Sequence, residues 1–248
     1  MTQRHMRRIL SGAVVVSLVG LLSACDPPGK PGPREDELAA PTDFKTLFAD
    51  NCSGCHGENG RQGPGRILND PLYLTVSSKE NIHDILIHGR PGTLMPAFAI
   101  SNGGQLTDKQ IDALVLGMEA QWAKPFDSKS TKIPTYDAAG LAGDITRGKK
   151  LFARGCFACH ATGGVAGPIN NATYLSLSSN QNLRTSIIVG RPDFPAVPMP
   201  DYRTLNAGHA LADQDIADIV SYLASVRPAN SAMAMMENKL KMDEGSMK

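Results

Sequence analysis

The chain has 248 residues and a formal net charge of +1, so its length allows one or two domains and its charge gives no reason to bind nucleic acid. Aromatic residues make up only 5%, with a single tryptophan, while 24 glycines and 17 prolines imply many turns. That composition suits small, loop-rich domains organised around something other than a large apolar core.

Residues 1–24 read as an export signal. Arg4, Arg7 and Arg8 precede an apolar stretch of 16 residues, Ile9–Ala24, shorter than the about 20 needed for a stable membrane-spanning helix. The stretch ends in "LLSAC", which resembles the lipobox of bacterial lipoproteins. That resemblance implies cleavage before Cys25, acylation of Cys25 and, from Asp26, retention on the periplasmic side of the bacterial inner membrane. An ordinary secretory signal with a chance cysteine is the alternative. Residues 25–42 then form a tether, because Pro, Gly and charge leave nothing apolar to bury.

From Asp43 the pattern becomes helical. "DFKTLFAD" leads into "CSGCH" at Cys52–His56, followed by Pro64 in a glycine-rich loop. "SSKENIHDILIHG" opens on a Ser77-x-x-Glu80 capping box and stops at Gly89, which begins a Gly-Arg-Pro triplet ahead of Met95. "LTDKQIDALVLGMEAQW" places Ile111, Leu114, Val115 and Met118 on one helical face. Residues 123–143 are a linker, too long for a hairpin and too short for a free tether, so the two halves are expected to pack together.

The second half repeats the first. "DITRGKKLFARG" leads into "CFACH" at Cys156–His160, followed by Pro168, the box Ser178-x-x-Gln181, Gly190-Arg191-Pro192, Met199, and a stripe of Ile216, Ile219, Val220 and Leu223. The offset between the halves is 104 at the cysteine motifs, falls to 101 at Tyr73 and Tyr174, and returns to 104 at Met95 and Met199. Each methionine thus lies 39 residues beyond its histidine despite compensating length changes, as expected if one fixed geometry spans both. Residues 229–248 form a tail with five methionines: a Cu(I) site, a disordered end or a partner-docking end.

With Cys25 assigned to the anchor, the remaining four of the five cysteines lie in the two Cys-x-x-Cys-His units. A thioredoxin-like redox motif needs a βαβ context, but the flanks are helical. A zinc site would pair cysteines across 100 intervening residues and leave His56 and His160 unused. Covalent haem attachment uses every residue: two thiols three positions apart close thioethers to the two vinyl groups, and the adjacent imidazole faces the iron. The spacing therefore predicts two covalently bound haem c groups, on Cys52 and Cys55 and on Cys156 and Cys159.

This ordered set resembles the class I cytochrome c family, over residues 43–122 and again over 144–228. The resemblance implies an all-α fold of two tandem domains, each with a covalently bound haem. It implies His56 and His160 as proximal iron ligands and Met95 and Met199 as the soft axial ligands opposite them, with core packing as the alternative use of a methionine. His83, His88 and His209 are the candidates for bis-histidine ligation instead. Pro64 and Pro168 match the family position whose carbonyl receives the imidazole N–H. Arg90 and Arg191 are propionate candidates, a solvated arginine being the alternative. Phe44 is expected to face Gly117 across the terminal helices, with Gly148 and Tyr222 as the reversed pair in the second half.

The expected function is single-electron transfer with redox proteins or a membrane respiratory or photosynthetic complex, as a free carrier or a bound subunit, without catalysis. The alternative is a dihaem oxidoreductase such as a peroxidase with a labile methionine ligand. Residues 43–124 hold 7 basic and 9 acidic side chains, and residues 144–228 hold 8 and 6, so the halves differ in sign. Arg147, Lys149, Lys150 and Arg154 cluster before the second motif, as a docking face for an acidic partner or as a solvated helix face.

Overall fold

A computed structural model describes residues 42–90, 93–126, 132–137, 142–194, 196–206, 208–236 and 238–239. The signal, Cys25 and nearly all of the tether lie outside the described residues, as do Met242 and Met247 of the tail. Residues from Pro41 onward form one compact unit containing both Cys-x-x-Cys-His motifs.

Among the described residues there is no strand; ten α-helices form the two halves, with a 3-10 turn at Ile100–Asn102 and further helical residues in the tail. In the first half these are α1 (Phe44–Asn51), α2 (Ser53–His56), α3 (Pro71–Val76), α4 (Lys79–His88) and α5 (Asp108–Trp122), and in the second α6 (Ile145–Gly155), α7 (Phe157–His160), α8 (Ala172–Ser176), α9 (Asn180–Val189) and α10 (Asp213–Val226). The side chains of Asp43 and Asp144 cap α1 and α6 by accepting from Thr46 and Arg147 N–H. Thr107 and Gln110 form a reciprocal capping box on α5. The caps of α4 and α9 fall one residue later than the motif suggests: Ser78 and Ser179, rather than Ser77 and Ser178, accept from Asn81 and Asn182 N–H. Gln181 instead donates to the linker carbonyl of Tyr136 at 2.7 Å.

The terminal helices of each half pack against one another, α1 on α5 and α6 on α10. Ile111, Leu114, Val115 and Met118 are buried on α5, as are Ile216, Ile219, Val220 and Leu223 on α10. Each such side chain contributes about 1.5–3 kcal/mol. Gly117 lies under the Phe44 ring, where any β-carbon would clash, and Phe44 and Phe48 both pack against Trp122 with centroids at 5.2 and 5.0 Å. The second half departs from the expected reversal. Gly148 faces the main chain of Asp218, one turn before Tyr222, whose ring packs on Phe152 instead.

That close crossing carries an ion-pair network with no counterpart at the α1–α5 crossing among the described residues. The Arg147 guanidinium bonds both Asp218 and Asp215, and Asp218, buried on α10, also accepts from Asp144 N–H at 2.8 Å and from Gln214 at 2.8 Å. Burial opposes ionisation of Asp218, but the donors from Gln214, Asp144 and Arg147 outweigh it and hold the carboxyl below its usual range. Arg147→Ala leaves this carboxylate short of a charged donor and is expected to cost about 1–3 kcal/mol near neutral pH. A group whose pKa is depressed by folding stabilises above its unfolded value and loses that contribution as pH falls through the folded one. The difference in melting temperature between wild type and variant should therefore be full at pH 7 and close below the ordinary aspartate range.

Candidate haem sites

Each Cys-x-x-Cys-His unit sits where a helix breaks and restarts. α1 ends at Asn51, Cys52 leaves helical geometry, and α2 carries the remaining residues to His56; Cys156 makes the same break between α6 and α7. The break buries the first cysteine of each pair and leaves Cys55 and Cys159 exposed at the edge. Burial pushes the Cys52 thiol up to about 12 and the Cys156 thiol to about 11. That is the reverse of a redox-active Cys-x-x-Cys pair, which needs a stabilised thiolate. No group of three or more His, Cys, Asp or Glu side chains converges to hold a metal ion among the described residues, which also leaves the zinc reading without a site.

The loop after each motif turns the chain back onto the histidine. Gly65 N–H donates to Cys55 O at 2.7 Å, and Gly65 passes so close to the His56 ring that a β-carbon would lie 3.1 Å from it. The carbonyl facing the imidazole is consequently that of Arg66, with Nδ1 donating at 2.6 Å, and not that of Pro64. In the second half Ala166 N–H bonds Cys159 O at 3.0 Å, and His160 Nδ1 donates to Gly167 O at 3.2 Å, the carbonyl before Pro168. Both expected proline contacts are thus displaced, by two residues in one direction and one in the other. The chemical outcome is the same: a proton fixed on Nδ1 leaves the Nε2 lone pair free for a metal. Burial is the main force holding the His56 imidazole below its ordinary pKa, and the guanidinium groups of Arg66, Arg90 and Arg191 add to it, favouring the neutral ligating form.

Opposite the motifs, the repeated Gly-Arg pairs anchor the methionine loops through the main chain. Gly89 and Gly190 both have φ of 68° and end α4 and α9. Arg90 N–H then donates to Met95 O at 3.0 Å, and Arg191 N–H to Met199 O at 2.9 Å. Met95 and Met199 are half-buried and packed against the core. In the second half a single cavity has Cys156, Cys159, His160 and Met199 on its walls, closed by apolar side chains including Ile187 and Leu223. A thiol pair at one edge, an imidazole and a thioether on the walls and an otherwise apolar lining fit a covalently bound haem.

The other candidates are placed elsewhere. His83 pairs with Asp112 at 3.3 Å, His88 with Asp84 at 3.5 Å and with Asn102 at 2.9 Å, and His209 is exposed. The Arg90 guanidinium bonds the Tyr136 hydroxyl at 2.7 Å, and that of Arg191 crosses to Gly63 O of the first half at 3.2 Å. Of the four basic residues before the second motif, Arg147 is committed to Asp215 and Asp218, leaving Lys149, Lys150 and Arg154 exposed. In the tail, Met233 is 1% exposed, so the start of that segment packs onto the body of the protein. Arg66 was not indicated by sequence. It falls where the repeat offset shifts, so nothing in the second half marks it.

Comparison with known proteins gives two family matches in tandem. Residues 39–116 match the family described as cytochrome c oxidase, cbb3-type, subunit III, and residues 145–227 match the family described as cytochrome c. A cbb3-type cytochrome c oxidase subunit FixP of Bradyrhizobium diazoefficiens is 32% identical over 125 residues, covering 48% of this chain and 39% of the relative. A cbb3-type cytochrome c oxidase subunit CcoP of Azospirillum sp. is 27% identical over 169 residues, covering 59% and 52%. The dihydro-heme d1 dehydrogenase of Pseudomonas aeruginosa is 31% identical over 103 residues, which is 20% of its length. The chain thus spans about two fifths to one half of the oxidase subunits it matches. Among solved structures, a chain of the Kuenenia stuttgartiensis reducing HAO-like protein complex aligns over 76% of this chain and 99% of its own, at a TM-score of 0.42 and 17% identity.

Proposed function

Because the chain is a tandem of two cytochrome c-type domains carrying two covalently bound c-type haems, we propose that it passes single electrons between a donor and a membrane respiratory complex, as a tethered carrier or a subunit. The observation that carries this reading is the closed donor set of the second domain, in which His160 and Met199 share one cavity with Cys156 and Cys159. A haem iron that His160 and Met199 both held would exchange electrons and have no open position for a substrate.

In this reading Cys52, Cys55, Cys156 and Cys159 would form the thioethers, and His56 with Met95 and His160 with Met199 would hold the two irons. A bound haem supplies a one-electron couple; the chain sets its potential and accessibility. The carbonyls of Arg66 and Gly167 hold each imidazole in the ligating tautomer. The Gly-Arg pairs hold each methionine loop, and a soft, neutral thioether favours ferrous iron and raises the potential. The similarity to FixP and CcoP supports an oxidase as the acceptor, and the "LLSAC" motif supports acylation at Cys25 with the domains in the periplasm. No helix among the described residues is long and apolar enough to cross a membrane.

The testing experiment is a spectroscopic redox titration of the purified haem-loaded protein, with carbon monoxide and peroxide added at each stage. Two one-electron waves, a far-red band from ferric Met-ligated haem at both sites and no reaction with either ligand are expected. A haem that lacks the band and binds peroxide would replace the carrier reading with an enzymatic one for that domain. Copurification with integral-membrane subunits separates a fixed subunit from a free carrier.

A further inference from the structure

The two domains meet along a seam that concentrates guanidinium groups around the first domain's proximal histidine. Arg66, from the loop after the first motif, reaches across to α9 of the second domain, donating from Nη2 to Ser186 Oγ at 2.5 Å and to Asn182 Oδ1 at 3.3 Å. Arg191 reaches the other way, to Gly63 O. Arg90 joins from the first domain and is held by Tyr136 of the linker. Gly63, whose carbonyl Arg191 reaches, packs against the main chain of His56, and Tyr136, which holds Arg90, accepts from Gln181 beside the Asn182 that Arg66 bonds, so the three guanidinium groups share one stretch of the seam next to His56.

Arranging three cations this way is costly unless anions face them. Asp193 is the one carboxylate ion-paired to any of them among the described residues: its Oδ1 lies 3.6 Å from Arg191 Nε, and its Oδ2 accepts from Gln62 N–H at 2.8 Å. Gln62 has a φ of 64°, a left-handed backbone that costs energy for a residue with a side chain and marks the contact as fixed by its surroundings. Three positive groups against one negative leave a surplus of two positive charges. One donor is also unspent: Arg66 Nη1 is buried without a hydrogen-bond partner, while Arg191 Nε faces Asp193 Oδ1 at 3.6 Å. A buried guanidinium N–H without an acceptor is a strong sign of a missing anion.

We infer that the seam is the anion site for both propionates of the first domain's haem, with Arg66, Arg90 and Arg191 as its cations, so that the second domain supplies part of the first haem's charge environment through Arg191. This rests on the reading of His56 as a haem ligand. Two propionates carry the two negative charges that the seam lacks, and they belong to the group whose proximal ligand the three arginines surround. Arg191 points into the first domain, to the Gly63 carbonyl in the loop packed against His56. Both arginines of the domain contact, Arg66 and Arg191, thereby tie the first haem's potential to domain docking.

The test is a redox titration of the haem-loaded full chain, with the first-domain wave identified by its displacement in Met95→His. Arg191→Gln is expected to lower the midpoint of the first-domain wave more than that of the second, because removing a nearby positive charge favours ferric iron. Arg191→Lys, which keeps the charge, should restore most of the shift, and Arg66→Gln should act on the first wave as Arg191→Gln does. A shift confined to the second wave, or none in either, overturns the inference while leaving the carrier reading standing. So does a first wave in the wild type that moves with added phosphate at constant ionic strength, which would assign the seam to a free anion. Absence of two haem waves in the wild type would instead be a failure of the carrier reading. Should Arg66→Gln not fold, Arg191→Gln and Arg191→Lys decide the matter alone.

Discussion

Met199→His is expected to abolish the far-red band of one haem and to lower its midpoint potential by a few tenths of a volt, within the about 0.8 V over which axial ligands set haem potentials. Met95→His should do the same to the other haem, each variant leaving its companion wave in place. The size of the effect follows from donor chemistry. A thioether is soft and neutral and stabilises the ferrous state, whereas imidazole is a stronger σ-donor that stabilises the ferric state. The structure supplies the reach: Met199 lies on the same cavity wall system as His160, on a loop pinned through Arg191 N–H. A band that survives Met199→His would mean that Met199 is core packing and that another group holds the iron. His209 is not a strong substitute, being exposed on its loop. The Met95→His wave is also the reference against which the Arg191 variants are read, so the first-domain assignment is made independently of the seam.

What could be read from sequence was what repeats. The Cys-x-x-Cys-His motif, three longer helices and their buried stripes each occur twice at nearly constant spacing, and local rules of capping and periodicity suffice to place them. What escaped depends on the approach of segments far apart in the chain. The imidazole acceptor shifted from Pro64 to Arg66 because the Gly65–Cys55 bond sets the loop's turn, a register that spacing alone does not encode. Arg147 looked like a free surface cation until α10 brought Asp215 and Asp218 to it from about 70 residues away. Gly148 kept its role of permitting close helix approach, but the small residue met a main-chain carbonyl where a ring was expected. Arg66 was least legible of all, since its partners Asn182 and Ser186 lie in the other domain and its position has no marked counterpart in the repeat.

The two halves are held together differently. α6 and α10 are locked by the Arg147 network, and the linker residue Thr135 is held at Asp213 and by Arg184. The first domain has no equivalent ion-pair network among the described residues, and its histidine motif adjoins the domain contact through the Gly63 loop. In the proposed arrangement the second domain is the rigid half that leaves Lys149, Lys150 and Arg154 for an acidic partner, while the first depends on its neighbour for charge compensation. Electron entry and exit at chemically different surfaces is what a two-haem relay requires to avoid docking the same partner twice.

Gly190→Ala is expected to detach Met199 from the iron while leaving the haem covalently bound, and Gly89→Ala to do so at Met95. Each glycine has φ of 68° with ψ near −160°, a region essentially closed to residues with a β-carbon, at a cost of about 1–3 kcal/mol. A β-carbon at Gly190 would also lie 2.5 Å from Met199 O and 2.6 Å from Pro200 O, and one at Gly89 2.5 Å from Pro96 C and 2.7 Å from Met95 O. Overpacking of this kind adds about 1–3 kcal/mol. The helix before each glycine is anchored in the core, and the thioethers fix the haem independently, so the strain is relieved where the structure is weakest, at the methionine loop. The variants should lose the far-red band at one haem and acquire carbon monoxide binding there, with the haem still attached after denaturation. Gly103→Ala is the control. Gly103 has φ of 82° but open space around the added carbon, so it carries backbone strain without the clash and should keep both bands. Equal loss of the band in Gly103→Ala would show that general destabilisation, and not the contact between the glycine and the methionine carbonyl, holds the ligand in place.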